Sequence, residues 1–400
     1  MKDRQLGMGW LRRDGRKGIR NRLLVLYLSP CARFAARRIA GMFPPDRVEV
    51  VGFDRCADSP FVLRKLGCYA THPNVGAVLV VAQGCEPMDG ASLCRQAEGS
   101  GRPCRYLAVG ECGGVAACIR AGEGAVRALL GEMDSAPRAP VYFRDLVIGG
   151  ECGGSDFTSG LAANPVVGRF FDRMVDLGGT VLFEEMYEAV GLKDYLVSRA
   201  ADARAAEQLA ATYDKFFCSS RDSNQFFITP GNMNGGLTSI EEKSMGAVVK
   251  SGTRPISGVV KLCQTPPHPG LWHMDGMTDR KEGCGPYTSE DATSLLLYAT
   301  CGTTLNLLTS GRGHLVNTPI APTVKLTGNR QTMQALAEDT DFDASPVIYG
   351  EKTLDQLADE LMELVAAVAA GQLTRGEALG HREGVINQEW QDSQRGCGCG

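Results

Sequence analysis

The chain has 400 residues, of which 44% are apolar and 22% charged, with a net charge of -4 and a pI near 5.9. That length holds two ordinary domains with substantial cores and argues against a disordered chain. The acidic balance argues against a generic nucleic-acid binder but leaves room for an anionic small ligand, because local charge can oppose the net sign.

No apolar run reaches the roughly 18–20 residues of a membrane span. The basic start, MKDRQLGMGWLRRDGRKG, is not followed by a signal-type apolar core. A cytoplasmic protein, without nucleic-acid or membrane partners, is expected. The 15 cysteines are odd in number and show no CxxC…CxxC spacing, so neither a disulfide framework nor a structural zinc site is indicated.

Short apolar runs recur along the chain, each ending in glycine or a small polar residue. LLVLYL (23–28) leads to Ser-Pro-Cys31, and AVLVVA (77–82) to Gln-Gly-Cys85. YLAVG leads to the Glu-Cys-Gly-Gly of 111–114, and DLVIG leads through Gly150 to a second Glu-Cys-Gly-Gly at 151–154. Runs without polar alternation fit strands buried on both faces. The alanine-rich amphipathic stretches between them complete a β-then-α alternation. The expectation is an α/β fold with mainly parallel sheets flanked by helices, in two domains at 12–133 and 141–390, with 391–400 as a tail. MDSAPRAP (133–140) reads as the linker, 164–176 and 201–217 as helices, and 304–310 as a further strand. In such sheets ligands bind beyond the carboxyl ends of the strands, where several of these cysteines fall.

Four stretches carry candidate chemistry. In ECGGSD (151–156) the two glycines permit close approach of backbone N–H groups to an anion. Cys152 is a soft metal ligand or a nucleophile, and Ser155 and Asp156 are either ligand contacts or helix caps. The first copy, at 111–114, lacks the Ser-Asp pair and reads as a turn. In PGNMNGGLTSIEEKSMGA (230–247), Asn232 and Asn234 can orient hydroxyls and Lys243 offers a cation. Ser239 with Glu242 resembles a capping box. In GLWHMDG, His273 and Asp275 face one side of an extended chain, as a ligand pair or an oriented imidazole would. In TSGRGHLVNTPIAPTVKLTGN (309–329), Arg312 between two glycines suits a carboxylate, with Asn317 and Lys325 nearby. Walker A, strand-linked GxGxxG and GxSxG patterns are all missing.

The chain also resembles the altronate/galactarate dehydratase family over about residues 12–390. The likeness rests on DGRKGIRNRLLVL, HPNVGAVLVVAQGCE, GGECGGSDFTSGLAANPVVG, ITPGNMNGGLTSIEEKSMGAVVKSG, GLWHMD, TSGRG, NTPIAPTVKLTGN and GEALGHREGVI, in that order. The resemblance implies loss of water from a sugar acid to give a 2-keto-3-deoxy acid, with iron(II), manganese(II) or an iron–sulfur cluster as cofactor. A sister branch resembles the large subunit of sulfolactate sulfo-lyase, which expels sulfite.

On that reading Arg312 and Lys325 steady a developing enediolate, and His273 or Glu242 is the base. The metal ligands come from Cys31, Cys85 and Cys152 at strand ends, or from a mononuclear set with Asp275 and His273. A cysteine-nucleophile hydrolase built on Cys152 is a competing expectation. No SAF-like domain precedes DGRKGIRN, which implies a separate small SAF-domain subunit; a homo-oligomer is also expected. The Met-Asp-Gly-Met-Thr of 274–278 and the Asp-Arg-Lys-Glu-Gly-Cys after it depart from the family pattern, as does the tail with Cys397 and Cys399.

Overall fold

A computed structural model describes residues 2–223, 228–277, 291–382 and 386. The Asp279–Cys284 stretch and the cysteine-bearing tail lie outside the described residues. Two α/β lobes share the chain. In the first, four parallel strands lie in the order Val48–Gly52, Arg22–Tyr27, Val75–Ala82, Cys104–Ala108. Their apolar runs are buried on both faces. One face packs on the helices Pro30–Ala40 and Val115–Asp134, the other on Pro60–Ala70 and Gly90–Gly99. Among the described residues one disulfide, Cys94–Cys104, ties a helix to the following strand.

The second lobe is built on seven parallel strands. Their order is Ile256–Lys261, Gly270–Asp275, Thr180–Phe183, Val147–Cys152, Leu305–Thr309, Thr323–Thr327, Phe342–Asp343. Helices Asn164–Asp176 and Leu354–Ala369 cover one face through Phe170, Phe171, Leu357 and Leu361. Helix Asp291–Thr300 covers the other, with Leu297 and Tyr298 against Leu182 and Met274. The stretch expected as a linker is more ordered than its prolines suggest. A helix runs to Asp134, and Arg138–Val141 pairs antiparallel with Gly7–Leu11.

The lobes meet through buried polar contacts. Asn74 Nδ2 donates to the carbonyls of Thr304 (2.9 Å) and Ile320 (3.2 Å). Glu377, from the second lobe, accepts from Arg20 Nε (2.8 Å) and Nη2 (2.9 Å) and pairs with Arg22 at the start of the first lobe's central strand. Burial works against its charge, yet the hydrogen bond from Arg20 and the charges of Arg20 and Arg22 hold its pKa below the ordinary carboxyl value. Removing one partner from a buried ion pair strands the others. Glu377→Ala is therefore expected to lower stability by about 3–5 kcal/mol. A urea unfolding midpoint equal to that of the unsubstituted chain would refute this account of the lobe junction.

Candidate active site at the carboxyl end of the central strand

Strand order reverses at Val147–Cys152. It is the first strand of its lobe, and later strands are added on both sides of it. Connections then leave on opposite faces and open a crevice beyond the carboxyl ends. The second Glu-Cys-Gly-Gly sits there, whereas the first forms a turn after Cys104–Ala108, with Gly113 and Gly114 at φ 80° and 111°.

Glu151 is the most constrained side chain of this edge. It is 1% exposed, and among the described residues neither carboxyl oxygen has a hydrogen-bond partner. Gly150 pairs in register with Phe183, so Glu184 follows beside Glu151. Burial pushes the Glu151 pKa well above the ordinary carboxyl range, and the neighbouring charge of Glu184 adds to the push. Lys250 opposes it. That lysine is itself fully buried, pairs with Glu185, and feels Cys152, Glu151, Glu184 and Asp291. Burial lowers its pKa against those charges. A second buried pair, Lys243–Glu188 at 2.5 Å, lies alongside.

Asp291 opens the helix Asp291–Thr300, and His314 lies in the loop after Leu305–Thr309. Their side chains meet at 2.5 Å (His314 Nε2 to Asp291 Oδ2). His314 Nδ1 accepts the Val316 N–H at 3.2 Å, which assigns the ring proton to Nε2, so the imidazole donates to Asp291. Gly153 admits this contact: a side chain there would collide with both residues. The Cys152 thiol hydrogen-bonds Ser155 Oγ (3.0 Å) and Asn164 Nδ2 (3.6 Å). The ring nitrogens of the nearby His314 are engaged elsewhere, which leaves the cysteine-nucleophile reading without an imidazole from that side chain.

The other sequence candidates take different positions. Asp156, Asn232 and Asn317 fasten the backbone. Asp156 Oδ1 accepts the Thr158 and Ser159 N–H groups (2.8 and 3.1 Å), Asn232 Nδ2 donates to the Ser155 carbonyl (2.8 Å), and Asn317 Nδ2 donates to that of His381 (3.1 Å). Ser155, Asp156, Glu242 and Lys243 line a cavity of about 330 Å³, whose walls are largely apolar through Phe157, Leu161 and Met245. Glu242 serves its own helix terminus. Ser239 Oγ accepts its N–H (3.3 Å), and its carboxylate accepts from Thr238 N (2.8 Å) and Oγ1 (2.7 Å). The Thr238 hydroxyl and N–H hold its pKa below the ordinary value, which makes it a poor base. Arg312 and Asn234 are exposed, and Arg312 Nη1 donates to the Gly231 carbonyl (2.7 Å). Lys325 is buried on Thr323–Thr327.

His273 and Asp275 do share a side, beneath Lys215 of the helix Ala203–Ser223, but they lie in the core. Burial and the Lys215 charge push the His273 pKa down to about 3, too low for an effective base, and Asp275 pairs with Lys215. In the first lobe Cys31 opens the helix Pro30–Ala40 and Cys85 lies in the loop after Val75–Ala82, both exposed, whereas Cys152 is buried at the end of a strand in the second. Among the described residues no three His, Cys, Asp or Glu side chains are grouped to hold a metal. The set Cys31, Cys85, Cys152 and Asp275 therefore does not fit iron(II), manganese(II) or an iron–sulfur cluster in this arrangement. Sequence reasoning missed Glu184, Glu188, Lys250 and Asp291. The available signal was FEEMYE, carboxyl groups immediately after the apolar run TVLF.

Known proteins resemble this chain in sequence. The chain fits the family model for the D-galactarate/altronate dehydratase C-terminal domain over 143–392. It fits that for the D-galactarate dehydratase/altronate hydrolase second domain over 9–134. It is 31% identical to (2R)-sulfolactate sulfo-lyase subunit beta of Chromohalobacter salexigens, with 96% of this chain and 98% of that one covered. It is 31% identical to altronate dehydratase of Escherichia coli, covering 94% of this chain and 76% of the relative. The Bacillus subtilis altronate dehydratase is 27% identical, with the same coverage. Among the described residues no helix is long and apolar enough to cross a membrane. The two family matches together span nearly the whole chain, which belongs to the D-galactarate/altronate dehydratase family.

Proposed function

We propose that the chain eliminates water from a sugar acid of the aldonate or aldarate class, giving a 2-keto-3-deoxy acid, and that Glu151 and Asp291 are its acid and base. The observation that carries this reading is Glu151, a sealed carboxyl group whose pKa is driven upward at the carboxyl end of the switch-point strand. Two carboxyl groups in one site with different surroundings divide acid and base work between them. Asp291, oriented by the His314 N–H, takes the proton from the carbon next to the substrate carboxylate. The C–H electron pair forms the new double bond, and the neighbouring C–O bond breaks. The Glu151 proton joins the departing hydroxide, which leaves as water, and the enol ketonises. Arg312 at the rim offers its guanidinium to the substrate carboxylate.

The alternative is release of sulfite from a sulfolactate-like acid. The near-complete overlap with a sulfo-lyase subunit beta favours it. Hydroxide needs protonation to leave and sulfite does not, so a carboxyl group held protonated favours water loss. A small SAF-domain subunit belongs to the same proposal, supported by the subunit name of that relative, and a homo-oligomeric assembly is proposed with it. Turnover of aldonates and aldarates to 2-keto-3-deoxy acids, set against sulfite release from sulfolactate, decides between the readings.

Glu151→Gln is expected to cut turnover by about 10²-fold or more. The same variant reports on stability. Glu151 binds its proton more tightly in the folded chain than in the unfolded one, so its contribution is complete at low pH and is lost as pH rises through the folded value. Melting temperatures across a pH series should therefore fall less steeply in Glu151→Gln than in the unsubstituted chain; parallel slopes would remove the claim of a raised pKa.

Asp291→Asn is expected to lower kcat by about 10²–10⁴-fold. His314→Asn should lower it less, because Asn keeps an N–H for Asp291; equal activity of Asp291→Asn and the unsubstituted chain would dismiss Asp291 as the base. Cys31→Ser and Cys85→Ser are expected to leave both turnover and bound metal per chain unchanged. Loss of iron from either variant would restore the strand-end cysteines as ligands.

A further inference from the structure

A cavity of about 490 Å³ lies in the first lobe, at the edge where the strands Val75–Ala82 and Cys104–Ala108 begin. Arg12, Arg13, Glu132 and Ser135 are among the residues that line it. Its charges do not cancel. Arg12 is 6% exposed. Its Nε donates to the Pro73 carbonyl (2.7 Å), and its Nη2 to Asn21 Oδ1 (2.9 Å) and the Arg20 carbonyl (3.5 Å); Nη1 has no hydrogen-bond partner among the described residues. Arg102, fully buried and close enough for its charge to act on Arg12, spends its guanidinium on the carbonyls of His72, Val75 and Ser100 and on Ser100 Oγ. Arg13 is exposed. The carboxylates at hand are taken: Asp14 by Arg16 (2.7 and 2.9 Å) and Glu132 by Arg105 (2.6 Å).

We propose that this cavity binds a small oxyanion, a carboxylate or phosphate group, with Arg12 as its buried anchor and Arg13 as its contact at the rim. Among the described residues none of Arg12, Arg13 and Arg102 forms an ion pair. Carbonyl acceptors satisfy N–H groups but do not neutralise charge, and a buried cation without a counter-ion is costly. Burial and the Arg102 charge push the Arg12 pKa down to about 9, in keeping with that cost. An oxyanion on Nη1 would supply the missing charge through a charge-assisted hydrogen bond. The cavity volume leaves room for an organic body around such a group.

Two helices, Gly90–Gly99 and Val115–Asp134, end beside the cavity, and helix carboxyl ends repel anions. Both ends are already covered by donors. Arg13 Nη1 and Arg102 Nη1 donate to the Gly99 and Ser100 carbonyls (3.4 and 3.2 Å), and Asn21 Nδ2 donates to that of Met133 (3.1 Å). Occupancy also bears on the lobe junction. Arg12 and Arg102 hold the Pro73 and His72 carbonyls, and the next residue, Asn74, reaches Thr304 in the second lobe. An anion that offsets the Arg12 charge therefore stabilises the segment that spans the two lobes.

Replacing Arg12 would also break its bonds to Pro73 and Asn21, so the test alters the rim. The melting temperature of the full-length Arg312→Gln chain, which lacks the exposed arginine of the crevice, is followed in sodium phosphate and in sodium gluconate against sodium chloride at matched ionic strength. A rise of about 1–3 °C at millimolar anion is expected. A rise with both anions assigns the site to the oxyanion group itself, with phosphate alone to phosphate esters, and with gluconate alone to sugar carboxylates. Adding Arg13→Gln should shrink the rise. Adding Ser135→Glu, which tethers a carboxylate at the cavity, should remove most of it. The proposal is overturned if neither anion raises the melting temperature beyond chloride, or if either added substitution leaves the full rise in place.

Discussion

Carboxyl groups taken out of water must be neutralised or paired, and the second lobe is organised around that demand. The register of its parallel sheet places Glu151 and Glu184 side by side, and the segment after Phe183 adds Glu185 and Glu188. Two buried lysines answer them: Lys250 reaches Glu185 from the short turn after helix Ile240–Val248, and Lys243 reaches Glu188 from that helix itself. Each pairing sets the position of a backbone segment. Glu185 takes φ 57°, and Gly168 packs so closely on Val249 and Gly252 that a side chain there would collide with them. The loops at the crevice are thus held by electrostatics as much as by apolar packing. Lys250 offsets Glu151 only in part, and among the described residues both Glu151 carboxyl oxygens are left without a hydrogen bond.

Much of the scaffold was legible in the residues. Unbroken apolar runs identified strands covered on both faces, and helix Asn164–Asp176 lies where its pattern placed it. The two Glu-Cys-Gly-Gly copies were separable because one lacked a following Ser-Asp. Capping was legible in part: Ser239 does accept the Glu242 N–H, but the Glu242 carboxylate turns to Thr238, one residue earlier than the box requires. The cluster of reactive groups was far less legible. Glu151, Lys250, Asp291 and His314 come from four distant segments, and only strand order brings them together. A parallel sheet has no turn chemistry to advertise its register, so nothing local in FEEMYE says that Glu184 will face Glu151. The cysteines are separated for the same reason: Cys31 and Cys85 come after strands of one sheet, and Cys152 ends a strand of the other.

The histidines show how burial redistributes roles that composition assigns. His273 has a carboxylate two residues away on its own side, the pattern of an oriented base. The strand Gly270–Asp275 is wholly buried, and Lys215 claims Asp275. What the pattern describes is real, but it sits in the core with a cation beside it, and both circumstances favour a neutral ring. His314 has no such motif. Its usefulness comes from a glycine at 153 that makes room for Asp291, and from a backbone N–H that fixes its tautomer.

Relatives named altronate dehydratase and sulfolactate sulfo-lyase subunit beta align with nearly all of this chain, and loss of water and loss of a sulfur group share the first half of an elimination. Both need a proton taken from a carbon, which a fixed carboxylate and imidazole can do. They part at the leaving group. Sulfite departs as a stable anion and asks chiefly for a place to go, whereas hydroxide departs only when protonated or drawn to a Lewis acid. On the proposed reading, a strand end that seals a carboxyl group among other carboxyl groups, with lysine charge only partly offsetting them, favours the protonated form that a departing hydroxide needs. If evolution moves such a scaffold from one leaving group to the other, the residue whose surroundings must change first is Glu151, while Asp291 and His314 can stay as they are.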